Sequence, residues 1–379
     1  MEKIKVLIIT GSMTVGGIQN QLMHLIRNSD KTKFQIDFTS TEDNPFYQEE
    51  IESLGGKCIR IPMTDGKHFM RYCKALKRVI KEGQYDIVHS HELFHSGIVL
   101  RTARKAGVKH RFVHAHNWME GNDPKGKKSF TRRTYNHIMQ KMILSNATDF
   151  IACSTLAGKF LYGEKAIHKP NYHLVFNSVD TSKFIDLYNN TESGEFTDDG
   201  WTNVLQVGRF TPVKNQLFTA EIAAELKRRG RKIRILCVGN DGNEYNNRVE
   251  ARIKEYGLKD QMLLLGIRND VDVLMRKASA FLLPSLYEGM PLVLIEAQAS
   301  GLPCVTADTY SREVDFGLGT VEWLDLEDGV SAWADAVERA AGKKRAEKES
   351  VVKAIERGGF DSRVFAKKLC DLYEASMKR

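Results

Sequence analysis

Short apolar runs alternate with amphipathic stretches along the 379-residue chain, and they do so in two separate series. In the first series, strand-like runs at 5–10, 34–39, 57–61, 85–90, 111–115 and 149–153 bracket stretches of helical periodicity such as 18–27 and 69–81. Runs this continuously apolar belong in a parallel sheet covered on both faces, with each helix carrying the chain back to the start of the next strand. The tract Asn189-Asn190-Thr191-Glu192-Ser193-Gly194-Glu195-Phe196-Thr197-Asp198-Asp199-Gly200 is polar and reads as a linker. The alternation then restarts, with strands at 204–207, 234–238, 262–265, 280–283 and 304–306. Helical patterns follow at 214–229, 244–256, 270–277 and 292–300, with a helical tail from 330 that includes 362–377. The expected fold class is α/β, with two Rossmann-like doubly wound parallel-sheet domains. One covers residues 1–185 and the other 201–360, joined by a linker at 186–200 and followed by a terminal helix at 361–379. Ligands of such sheets sit beyond the carboxyl ends of the strands, so two of them imply a central cleft between the domains.

Composition excludes some alternatives. The chain is 42% hydrophobic and 27% charged, an ordinary balance for a globular protein. No apolar run approaches the roughly 18–20 residues that span a bilayer, and the opening Met1–Thr10 stretch reads as a first strand rather than a signal peptide. Six scattered cysteines without a Cys-x2-Cys pair point to free thiols in a reducing cytoplasm. The net charge of +8 is local: residues 100–133 carry ten basic and two acidic side chains. The centre of that patch is Lys125-Gly126-Lys127-Lys128-Ser129-Phe130-Thr131-Arg132-Arg133. It lacks the aromatic interleaving of a nucleic-acid platform, and its expected partner is an anionic membrane surface.

The chemistry concentrates after the apolar run at 280–283. Glu288-Gly289-Met290-Pro291-Leu292-Val293-Leu294-Ile295-Glu296 reads as a tight turn entering a helix, with Pro291 in the first helical position. Free N–H groups at such a helix start suit a phosphate. Glu288 stands on the turn, and Glu296 lies one turn into the helix, where it can accept hydrogen bonds from a diol. A phosphate, a sugar and a ribose would together satisfy this set, as in a nucleotide sugar. Arg209 and Lys214, after the strand at 204–207, supply the two fixed cations that a departing diphosphate needs without a metal.

The segment resembles the Glu-x7-Glu signature of glycosyltransferase family four, retaining enzymes of the GT-B fold. Gly16-Gly17 looks like that family's glycine turn, and Val207-Gly208-Arg209-Phe210-Thr211-Pro212-Val213-Lys214-Asn215 like its Gly-Arg-x4-Lys phosphate clamp. Phe176-Asn177-Ser178-Val179-Asp180 resembles its Asn-Gly-Val-Asp junction, with Ser178 in place of the usual Gly. The resemblance covers essentially the whole chain. It implies that Gly289, Met290, Pro291 and Leu292 line the donor with Glu288 and Glu296, and that Arg268 lies near the base. It also implies that His116 acts near the anomeric carbon, with His114 as the second choice, and that the last helix crosses back to the first domain. The implied reaction is metal-independent transfer from a nucleotide sugar, with a uridine diphosphate sugar favoured. The implied acceptor is a glycan or lipid-linked sugar of capsule or exopolysaccharide assembly, on the inner face of the cytoplasmic membrane. A GT-B epimerase and a non-enzymatic nucleic-acid binder are the alternatives.

Two further clusters carry a metal reading. His89, His91 and His95 have a spacing that can bind zinc, with no Cys or suitably spaced Asp to complete the set. Asp270-Val271-Asp272 is an Asp-x-Asp, with Asp270 where a helix cap is needed. Acceptor contacts are expected of the first and helix capping of the second, with metal at neither.

Overall fold

The computed structural model describes residues 2–14, 16–62, 69–117, 130–186, 200–240 and 242–379. The chain forms two compact units, Met1–Ser178 with Ser362–Arg379, and Val179–Asp361. The divide thus falls before the expected boundary at 185, and most of the expected linker lies outside the described residues. Residues 179–185 join the second unit for a local reason. The Val179 N–H donates to the Phe360 carbonyl (2.9 Å) and Thr181 Oγ1 to Asp361 Oδ2 (2.5 Å), so the outgoing and returning segments pair there.

The first unit is a seven-stranded parallel sheet. Its strands are β1 (Ile4–Ile9), β2 (Phe34–Ser40), β3 (Cys58–Arg60), β4 (Ile87–Ser90), β5 (His110–Ala115), β6 (Asp149–Ala152) and β7 (Tyr172–Leu174), in the order β3-β2-β1-β4-β5-β6-β7. On one face lies the helix Gly17–Asn28, which buries Leu22, Met23, Leu25 and Ile26. The C-terminal helix Ser362–Met377 packs beside it and buries Phe365, Leu369 and Tyr373 in the same core. Each such side chain stabilises by roughly 1.5–3 kcal/mol, so the returning helix is an integral part of this unit.

The second unit is a six-stranded parallel sheet of β8 (Thr202–Val207), β9 (Ile233–Val238), β10 (Met262–Leu264), β11 (Ala280–Leu283), β12 (Cys304–Ala307) and β13 (Val321–Leu324), in the order β10-β9-β8-β11-β12-β13. Its central strand β11 is wholly buried, and Trp333 of the helix Gly329–Gly342 fills the core beneath it. The sheet edges β7 and β13 were not expected from the sequence. Both are short, and their residues are mostly half-buried, so neither carries the apolar run that marks a central strand.

Strand order reverses between β1 and β4 in one unit and between β8 and β11 in the other. At these two points the loops beyond the carboxyl ends diverge to opposite faces and leave room for a ligand. Among the described residues no helix is long and apolar enough to cross a membrane.

Candidate active site

In the second unit the loops after β8 and β11 meet at the reversal of strand order. The Leu286 N–H donates to the Val213 carbonyl (2.8 Å), and Asn215 Nδ2 to the Pro284 carbonyl (3.1 Å), which ties the loops together. Lys214 does not open the following helix, as periodicity implied. It ends a single 3₁₀ turn, Pro212–Lys214, and Asn215 then adopts a left-handed conformation (φ 58°) before the helix Gln216–Arg228 begins. That break turns Lys214 inward, where Nζ donates to Glu288 Oε1 at 2.6 Å. The same oxygen accepts from Ser285 Oγ at 2.8 Å. Lys214 retains 19% and Glu288 15% of their side-chain exposure, so the pair is sheltered yet reachable.

Gly208 makes this geometry possible. Its φ of +155° is accessible to few other residues, and a Cβ there would lie 2.9 Å from Lys214 Cε. Gly239 seals the turn from the other side, with a would-be Cβ only 2.4 Å from the Gly208 carbonyl oxygen. Arg209 on the same loop is exposed and makes no ion pair among the described residues.

Pro291 caps the helix Leu292–Ala299 in an extended conformation (φ −72°, ψ 112°) rather than occupying its first turn. The amides of Leu292 and Val293 have no backbone acceptor among the described residues, so the helix start is an open anion seat. Glu296 is half-buried one turn further, and no described residue donates a hydrogen bond to its carboxylate. Burial lifts its pKa to about 7, with Asp272 adding to the rise and Lys214 opposing it. Arg268 grips Asp270 through two bonds of 2.8 and 2.6 Å. Asp270 therefore occupies the cap position of the helix Val271–Lys277 without capping it, because its carboxylate is committed to Arg268.

In the first unit the Gly16-Gly17 turn is plain. Gly16 is extended (φ −175°) and precedes the helix at Gly17. The histidines are more informative. His89, His91, His114 and His116 are all buried on one face of β4 and β5, whereas His95 sits apart on the turn Leu93–His95 against Tyr72. The spacing of 89, 91 and 95 therefore does not form one cluster; His89 and His91 lie instead with His114, and His116 stacks on His114 at 4.1 Å. His91 Nδ1 lies 2.7 Å from His116 Nε2. Burial holds His89 and His116 at a pKa of about 3, so both rings are neutral. Ser285 and Glu92 had no sequence signal beyond following a strand. Glu92 follows β4 and lies beside Gly11, and burial raises its pKa to about 6 against the backbone N–H of Gly11. The next residue, Leu93, has a strained φ of 45°. The basic segment at 118–129 lies outside the described residues. Arg132 and Arg133, just beyond it, are exposed.

Residues 15–183 match the family described as Glycosyltransferase Family 4, and residues 193–342 that of Glycosyl transferases group 1. EpsF of Bacillus subtilis is 34% identical over 99% of this chain and 97% of its own length. The chain belongs to glycosyltransferase family 4. This glycosyltransferase is also 26% identical to the capsular polysaccharide biosynthesis glycosyltransferase CapH of Staphylococcus aureus, over 90% of this chain and 92% of that one. An Escherichia coli enzyme named UDP-Gal:alpha-D-GlcNAc-diphosphoundecaprenol alpha-1,3-galactosyltransferase is 27% identical over 81% and 80%. Among solved structures, a glycosyltransferase of Rickettsia africae superposes with a TM-score of 0.79 at 17% identity, covering all of both chains. HepE of Anabaena, solved with UDP-glucose, gives 0.74 at 15% identity over 98% and 99%. These likenesses establish the GT-B fold of the glycosyltransferase.

Proposed function

We propose that this glycosyltransferase moves a sugar from a nucleotide-sugar donor, a uridine diphosphate sugar by preference, with retention at the anomeric carbon. The acceptor is a glycan or lipid-linked sugar in capsule or exopolysaccharide assembly. The observation that carries the reading is the Lys214–Glu288 pair beside the open helix start at Leu292. In the free protein Glu288 is the counterion of Lys214. An arriving diphosphate takes over Lys214 and the amides of Leu292 and Val293, which frees Glu288 to accept a donor-sugar hydroxyl. Arg209, exposed and without an ion pair among the described residues, closes on the phosphates from the other side. Glu296 holds the ribose diol, Gly289 to Pro291 line the sugar, and Arg268 lies near the base. As the glycosidic bond breaks, negative charge grows on the leaving phosphate, and the two cations stabilise it without a divalent ion. Within the first unit, His116, with His114 stacked on it, is the proposed catalytic histidine, and Gly16 and Gly17 are the proposed donor-side glycines.

The names of CapH and of the galactosyltransferase support the pathway and the lipid-diphosphate acceptor, and UDP-glucose in HepE supports the nucleotide. A basic groove supports approach to a membrane. Arg71, Lys74, Lys77, Arg101 and Lys105 surround an apolar floor that includes Ile98 and Met142. Lipid-linked acceptors would place the enzyme on the inner face of the membrane.

The test is turnover of Lys214→Ala and Glu288→Ala with uridine diphosphate sugars. Each should lose at least about a hundredfold, the usual cost of removing a group that stabilises transition-state charge. Near-normal turnover in either variant would sink the assignment.

A further inference from the structure

We propose that His89, His91 and His114 bind one transition-metal ion, zinc by their chemistry, inside the first unit. Strands β4 and β5 pair in parallel, with His89 opposite Phe112. Side-chain alternation therefore sends His89, His91, His114 and His116 to a single face. The rings of His89 and His91 lie 4.3 Å apart, those of His91 and His114 5.2 Å, and those of His89 and His114 5.5 Å. One nitrogen from each of the three falls within 4.8 Å of the others. Three imidazoles on zinc, at about 2.0–2.1 Å each, need nitrogen separations of about 3.4 Å. Binding would therefore draw the three nitrogens closer together than the 4.8 Å seen here.

Hydrogen bonding selects the ligand atoms. His89 Nδ1 lies 2.6 Å from Tyr373 Oη, and His91 Nδ1 lies 2.7 Å from His116 Nε2. With the proton on Nδ1 in both rings, each Nε2 keeps a lone pair available to a metal. Neither Nε2 has a hydrogen-bond partner among the described residues, and both nitrogens of His114 are in the same position. An unpaired buried polar atom costs about 1–3 kcal/mol, so these nitrogens, with His116 Nδ1 also unpartnered beside them, favour an occupant. A metal-bound histidine commonly anchors its second nitrogen on a neighbouring group, as Tyr373 and His116 do here. Neutral imidazoles without a carboxylate or thiolate favour zinc among abundant cations. All three rings are at most 7% exposed, so a bound ion would be enclosed by protein. Water or a substrate hydroxyl is the competing occupant.

The experiment uses full-length protein with any affinity tag removed. Metal content is measured by mass spectrometry on protein as purified, and again after stripping and reloading with zinc or cobalt(II). The expected result is about one ion per chain in a three-imidazole site, ligand-field bands with cobalt, and a melting temperature raised by reloading. His114→Gln should abolish binding and the melting shift, and His95→Gln should preserve both. Stripped, folded wild-type protein that takes up neither metal overturns the proposal, as does His114→Gln with undiminished stoichiometry. If His114→Gln does not fold, the cobalt spectrum of the wild-type protein decides alone. The readout is metal content, so its failure leaves the donor assignment at Lys214 and Glu288 untouched.

Discussion

Glu296→Gln should make the protein more stable at neutral pH while weakening nucleotide binding, and the two effects share one cause. The carboxylate is half-buried, receives no hydrogen bond from a described residue, and has its pKa raised from 4.5 to about 7 by burial. A folded-state pKa above the unfolded one means that the folded protein holds the proton more tightly. The resulting stability is complete below about pH 4.5 and is lost as pH rises through about 7. At about 1.4 kcal/mol per unit, the ionised carboxylate costs the second unit at most about 3.5 kcal/mol. Glutamine is neutral at every pH and escapes that cost. Urea unfolding followed by tryptophan fluorescence reads it, since Trp333 is buried in the core of this unit. The variant should match the wild type near pH 5 and exceed it at pH 8. Nucleoside diphosphate affinity should rise from pH 6 to 8 in the wild type, as the ribose acceptor ionises, and stay low and flat in the variant. An equal stability difference at both pH values would refute the argument, because it would show that Glu296 ionises freely in the fold.

Gly208→Ala should raise the donor KM strongly and cost some stability, because the added Cβ would displace the Lys214 side chain at 2.9 Å and strain the φ of +155°; unchanged kinetics would show that the side chain is not held there for function. Withholding magnesium and manganese should leave turnover unchanged, whereas dependence on manganese would return Asp270 and Asp272 to the site. Neutralising Arg101, Lys105, Arg132 and Arg133 together should cut binding to anionic vesicles by orders of magnitude, since each basic residue contributes about 1 kcal/mol, with nucleotide affinity preserved. Co-sedimentation measures the first and calorimetry the second, and full retention on vesicles would remove the membrane reading.

Legibility followed burial and spacing. Central strands such as β11 announce themselves as unbroken apolar runs because both faces are covered, and Glu288, Pro291 and Glu296 stand out because a turn into a helix leaves a fixed pattern. The edge strands β7 and β13 escaped because edges bury less, and Asp270 was misread because capping preference carries no knowledge of the Arg268 opposite it.

The sequence by itself determined the fold class, the two-sheet plan and the family, since periodicity, turn residues and motif spacing are local properties of the chain. Tertiary structure alone decided which groups meet. Lys214 and Glu288 are 74 positions apart and become an ion pair because β8 and β11 are neighbours in the sheet. His89 and His114 come together because β4 pairs with β5, and Tyr373 reaches His89 because the last helix returns to the first sheet. The pKa of Glu296 and the orphaned histidine nitrogens depend on burial by distant residues, and no local pattern encodes that.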